Sequence, residues 1–150
     1  MGVIDGKTIC QVALVVKDLE KTTEEYANLF GVPQPEIFRV PEESVAHTQF
    51  KGMPSKTRAK LAVFNLGQVV LELTEPDEEP SSWKDFLEKN GDGIHHIAFM
   101  TDDRDAAVKY FEENDMPIRH YGEYEGGNYT VFDSKEKLGT FVQVKYEPKK

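Results

Sequence analysis

The sequence predicts an α+β fold in which two tandem βαβββ modules form a curved sheet around a central cleft. Three observations predict it. The order strand, helix, hairpin occurs twice in 150 residues, and each hairpin ends in an "EP" pair. In each half the apolar period changes from two to 3.6 and back again. Setting Ile9 on Ile94 brings Ala13 onto Ala98, Asp18 onto Asp103 and Tyr26 onto Phe111. Such duplication settles architecture, because each repeat must bury its open face against the other. The chain length suits one domain with a full core, or two tightly fused halves. We therefore read a single domain over residues 1–150: module 1 at about 7–76, a linker with a short helix at 77–92, and module 2 at 93–147.

The elements follow in chain order. "TICQVALVV" (8–16) is β-branched and apolar, as a buried strand is. "DLEKTTEEYANLFG" (18–31) places Leu19, Tyr26, Leu29 and Phe30 on one helical face. Asp18 is its candidate N-cap, Gly31 its stop, and Pro33 forbids continuation. Residues 35–50 read as an extended arm or strand. "KLAVF" and "VVLELTEP" then form a hairpin about "NLGQ". The acidic "EPDEEPSS" (75–82) reads as a linker, followed by the helix "WKDFLEKN" with Ser82 as candidate cap and Gly91 as stop. Trp83 and Phe86 would pack that helix onto the domain. In the second half "GIHHIAFMT" is a strand and "DDRDAAVKYFEEND" a helix, and "NYTVF" with "TFVQVKYEP" makes the closing hairpin.

Bulk composition excludes some classes of function. Twenty-seven acids against eighteen bases leave a net charge of −9, which argues against nucleic acid or an anionic membrane as partner. No apolar run approaches the roughly 20 residues that span a bilayer, and no signal peptide is visible. Cys10 is the only cysteine, so the expectation is a reducing cytoplasm. One stretch departs from the acidic background: "KGMPSKTRAK" (51–60) carries Lys51, Lys56, Arg58 and Lys60 and no acid. It reads either as a solvated loop or as a contact for a phosphate or carboxylate of a small anionic ligand.

Four strand positions are polar where alternation expects apolar residues. Gln11 shares a face with Ile9, Ala13 and Val15, and its repeat partner is His96. Glu72 interrupts "VVLEL", and its partner Gln143 interrupts "TFVQV". Burying such groups unpaired costs about 1–3 kcal/mol each. Two repeat-equivalent pairs therefore point to polar groups converging on one cleft. In "GDGIHHIAFM" strand alternation puts His95 on the opposite face from His96.

These residues carry a resemblance. "QVALVVKDLEKTTEEYANLFGV", "LGQVVLELTEP", "FLEKNGDGIHHIAF" and "LGTFVQV" together resemble the vicinal oxygen chelate superfamily. That family holds glyoxalase I, methylmalonyl-CoA epimerase, extradiol dioxygenases and antibiotic-sequestering resistance proteins. The segment around His96 looks most like the epimerases. The resemblance implies a glyoxalase-like fold and a divalent metal ion (Zn, Ni, Co or Mn) held by Gln11, Glu72, His96 and Gln143. It implies an epimerase, isomerase or lyase, similar to methylmalonyl-CoA epimerase or lactoylglutathione lyase. Such enzymes abstract a proton alpha to a carbonyl and stabilise the enolate on the metal. Glu72 would be one catalytic carboxylate. "VPEESV", which is similar to an epimerase segment bearing a second base, makes Glu42 the other. The expected partner is a small acyl-CoA or thiol adduct, and the expected assembly a homodimer.

Gln11 stands where the epimerases usually place a histidine, although some glyoxalases I have glutamine there, and Gln143 departs from both patterns. Gln143 stands where both enzyme types place a glutamate that binds metal and moves protons. An amide oxygen can coordinate a cation but cannot act as a base near neutral pH. One carboxylate would leave a divalent ion with one positive charge uncompensated. The alternative is therefore a non-catalytic small-molecule-binding or resistance protein on the same scaffold. A dioxygenase would need two histidines and a carboxylate on iron, and only one histidine aligns.

Overall fold

The computed structural model describes residues 2–148. Its first half runs β1 (Gln11–Val15), α1 (Leu19–Phe30), β2 (Phe38–Arg39), β5 (Lys60–Asn65) and β6 (Val70–Glu75). Between β2 and β5 the chain makes an excursion through a single helical turn, α2 (Glu43–Ala46), and a small hairpin, β3 (Gln49–Phe50) and β4 (Met53–Pro54). The linker helix α3 (Ser82–Asn90) leads to β7 (Gly93–Thr101), α4 (Arg104–Glu113), β8 (Ile118–Tyr124), β9 (Gly127–Phe132) and β10 (Phe141–Tyr146). A one-turn helix, α5 (Lys135–Leu138), joins the last two strands. Each half is thus a βαβββ unit, as the sequence predicts.

All strands belong to one sheet of order β2-β5-β6-β1-β7-β10-β9-β8-β3-β4. The first strand of each half lies parallel to the last, β1 on β6 and β7 on β10, and β1 and β7 join the halves antiparallel. The register carries the duplication down to single residues. Ala13 lies opposite Glu72, and Ala98 lies opposite Gln143. The helix starts match too. The Asp18 carboxylate accepts the Lys21 N–H at 3.2 Å, and that of Asp103 accepts the Ala106 N–H at 3.0 Å. Gly31 ends α1 with φ 68°, a left-handed conformation that a Cβ disfavours.

Each helix covers the outer face of its own half. Leu19 and Ala27 pack on Ala62, Phe64 and Leu73, while Ala107 and Phe111 pack on Phe132, Val142 and Val144. The Phe111 and Phe132 rings stack at 4.0 Å between centroids. A third cluster ties the halves together through α3: Trp83 and Phe86 pack with Val15, Val40, Val131 and Phe141.

Three local expectations change. Residues 35–50 are not one extended arm. The turn α2 breaks them, and His47 ends it in the left-handed region at φ 49°. The chain pairs β2 with β5 at one end of the sheet and β3 with β8 near the other, so the excursion bridges the two ends. The cap of α3 is Ser81, which accepts the Lys84 N–H at 3.0 Å, and not Ser82. Strand β8 was not evident in "IRHYGEY", because its polar residues and Gly122 blur the alternation. Gly122 has a reason to be there: the Tyr129 ring lies where a Cβ would sit.

Candidate active site

A cavity of about 370 Å³ opens on the concave side of the sheet. Apolar side chains from β2, β5, β6 and α3 make much of its wall, and Gln11, Glu72 and Gln143 project into it. Parallel pairing explains the convergence: β6 flanks β1 and β10 flanks β7, so the repeat-equivalent polar residues approach a common centre. All of them belong to one chain. His96, the fourth member, is fully buried beside Gln11, and its Nε2 lies 3.0 Å from Gln11 Oε1.

His95 does not face away. The β1–β7 register slips by one residue between Ala13 and Leu14, leaving His95 as the extra residue of a bulge. A bulge breaks the alternation on which the sequence argument rested. Both imidazoles therefore enter the interior, with His95 Nδ1 2.7 Å from His96 Nδ1. His95 Nε2 is 2.8 Å from Ser82 Oγ, which also meets Arg119 Nε at 2.8 Å. The Arg119 guanidinium, in turn, is paired with Asp85 and Asp133.

The contacts of this buried chain admit a continuous order of protons. Arginine can only donate, so Ser82 Oγ accepts from Arg119, and its own hydroxyl proton is available to His95 Nε2. His95 then carries its proton on Nδ1 and donates to His96 Nδ1. His96 donates from Nε2 to Gln11 Oε1, which also accepts the Gln143 Nε2–H at 3.2 Å. Burial keeps both rings neutral: it holds His95 well below the usual histidine range and His96 at about 3.

Glu72 is different. It is half-buried in the cavity wall, no cation lies within ion-pair distance of its carboxylate, and no hydrogen bond reaches it among the described residues. Loss of solvent pushes its pKa up to about 6, against the opposing pull of the Lys145 ammonium. Tyr129, on the same cavity, is held protonated by burial and by the charge of Glu72. Sequence reasoning missed Lys145 and Glu123, which also line the cavity. Lys145 was legible, because it follows Gln143 by two residues and shares its face. Glu123 was not, since its strand was unrecognised. It accepts hydrogen bonds from the Tyr121 hydroxyl at 2.9 Å and from His47 Nδ1 at 3.0 Å.

Glu42 is not brought to this cavity. It is exposed at the start of α2, 4.0 Å from Arg58, in a separate surface hollow with Glu43, Ser44 and Lys56. The basic loop is tied to the linker: Asp77 accepts from Thr57 Oγ1 at 2.9 Å and from the Arg58 N–H at 2.7 Å.

The resemblance implies a divalent ion on Gln11, Glu72, His96 and Gln143. As hydrogen-bonded here, the four do not fit one held tightly. Gln11 Oε1 already accepts two N–H groups, and the His96 Nε2 proton occupies the direction a metal would take. Ligation through His96 Nε2 would require its proton to move to Nδ1 and His95 to donate to Ser82 Oγ instead. A single carboxylate is left to offset both the ion and Lys145. Among the described residues no three His, Cys, Asp or Glu side chains gather as a metal-binding group.

Human mitochondrial methylmalonyl-CoA epimerase is 34% identical to this chain over 98 residues, covering 65% of the chain and 48% of the epimerase. The chain thus spans about half the length of the curated relatives it matches. A Streptomyces coelicolor methylmalonyl-CoA epimerase solved with 2-nitronate-propionyl-CoA is 25% identical, with TM-score 0.62 over 93% of this chain and 96% of that one. A hypothetical protein from Bacillus halodurans shares the fold at TM-score 0.67 and 16% identity, over 97% and 98% of the two chains. The family model for the Glyoxalase/Bleomycin resistance protein/Dioxygenase superfamily matches residues 10–132. With its duplicated βαβββ sheet curled around one cleft, the chain belongs to that superfamily.

Proposed function

We propose that this chain is an isomerase that moves a proton on the carbon next to an acyl carbonyl, an epimerase acting on a small acyl-CoA. The observation that carries the reading is Glu72: an unpaired carboxylate in an apolar cavity wall, ready to take a proton near neutral pH. The likeness to methylmalonyl-CoA epimerases supports the epimerase over the lyase.

Glu72 removes the proton alpha to the carbonyl. The electron pair of the broken C–H bond moves onto the carbonyl oxygen as an enolate, which amide N–H donors meet. Gln143 uses one N–H on Gln11 and has its second available for the cavity. Epimerisation requires a proton to reach the other face of the planar enolate. Tyr129, which lines the same cavity, gives it once Glu72 has been neutralised by the substrate proton. Glu72 then loses its proton to solvent as the tyrosinate regains one. The apolar walls exclude water that would compete for the enolate.

Methylmalonyl-CoA incubated in D2O should lose its alpha-proton signal by NMR. Glu72→Gln should slow that loss at least about 100-fold while leaving ligand affinity largely intact. Running the exchange with chelator, and with added Zn, Ni, Co or Mn, measures any metal dependence. Wild-type protein that exchanges nothing under any of these conditions would exclude the epimerase. A second reading, a ligand-binding protein without turnover, draws on the neutral Gln143 and predicts tight binding without exchange.

A further inference from the structure

Among the described residues, three charged side chains line the cavity: Glu72, Glu123 and Lys145. Glu123 is engaged by Tyr121 and His47, and Glu72 is the acid of the proposed proton transfer. Lys145 has no assigned part. Its strand places it two residues beyond Gln143 on the same face and directly across the ladder from Tyr129. The ammonium stands 5.6 Å from the centre of the Tyr124 ring, whose hydroxyl in turn donates to Glu147 at 3.1 Å. Among the described residues no carboxylate oxygen lies within 4.0 Å of Lys145 Nζ. A half-buried ammonium whose partner is an aromatic face and not an anion has room for a counter-ion. A ligand anion would supply one. The field of this charge already reaches the site, since it lowers the pKa of both Glu72 and His96.

We propose that Lys145 is the anion-binding group of the cleft, its ammonium pairing with a carboxylate of the ligand beside Glu72 and Gln143 with no divalent ion required. The positive charge that the donor set is poorly suited to hold as a metal is then covalently part of the chain. The ligand class follows: acyl compounds bearing a carboxylate close to the carbonyl. The acyl-CoA portion of that ligand rests on the proposed function, whereas the carboxylate portion rests on Lys145 itself.

The test compares methylmalonyl-CoA, propionyl-CoA (the same thioester without the carboxylate) and free methylmalonate, by calorimetry on chelator-treated protein. Lys145→Gln should weaken methylmalonyl-CoA and methylmalonate at least about tenfold and leave propionyl-CoA within about twofold. Lys145→Arg should restore most of the loss, which separates charge from packing. In the wild type, added salt should weaken methylmalonate more than propionyl-CoA. The assignment is overturned by equal weakening of both thioesters, by unchanged affinity in Lys145→Gln, or by wild-type protein that binds neither carboxylated ligand until a divalent ion is added. Binding through Lys145 without alpha-proton exchange supports the assignment and removes only the epimerase. Exchange that proceeds with Lys145→Gln affinities unchanged removes only the assignment.

Discussion

Glu72 and His96 occupy neighbouring parts of one cleft, yet burial moves them to opposite uses. Desolvation disfavours the charged form of both, so the carboxyl titrates higher and the imidazole lower. At neutral pH the result is a carboxylate with a retained appetite for protons and a ring that stays neutral. The sign for activity follows. A base works deprotonated, so kcat/KM for exchange should fall as pH drops through about 6 and level off above it. A rate profile from pH 5 to 8 checks this, and a limb with no inflection near 6 would count against Glu72 as the base. At this scale Gln11, Glu72, His96 and Gln143 were legible as interruptions of apolar strands. The role of His95 was not, because one inserted residue cannot be seen in an alternating pattern that tolerates substitution.

Among elements, the two βαβ starts are built alike. Asp18 and Asp103 hold the first turns of α1 and α4, and both helices seal the outer faces of strands whose inner faces make the cavity. Asp18→Ala and Asp103→Ala should each lower unfolding free energy by about 1 kcal/mol in urea titrations. A loss at only one of them would mean that the repeats share sequence pattern without sharing energetics. Helices α1, α3 and α4 and the strands of both hairpins followed from period and capping residues. Strand β8 and the turn α2 did not, because each depends on a partner far away in sequence. Residues Gln49 and Phe50 are strand only because Tyr121 and His120 lie beside them.

Taken whole, the molecule buries three histidines, His95, His96 and His120, and keeps all of them neutral. Their folded pKa values lie below the ordinary value of 6.5, to about 3 for His96 and His120. The unfolded chain therefore binds more protons as pH falls below 6.5, and stability drops with it. Glu72 acts in the opposite sense between 4.5 and about 6, where its raised pKa makes folding take up a proton. Three histidines outweigh one carboxyl over that window, so the melting temperature should decline steadily from pH 7 to pH 5. Calorimetry measures it, and a flat profile would mean that water reaches the imidazoles. No helix among the described residues is long and apolar enough to cross a membrane. The sheet ends in strands of two residues each, and β2 and β3 cover only two residues each of β5 and β8, so both of these longer strands keep unpaired edge.

Periodicity, capping residues and duplication by themselves determined the fold class, the three longer helices and the four polar positions, because those signals lie within one element or recur at a fixed offset. Tertiary structure decided what those positions meet. The bulge turned His95 inward, into a hydrogen-bonded chain that runs from Arg119 to Gln11. Folding also kept Glu42 out of the cavity and brought Lys145 into it. Each depends on groups far apart in the chain that only the closed sheet brings within a few ångströms.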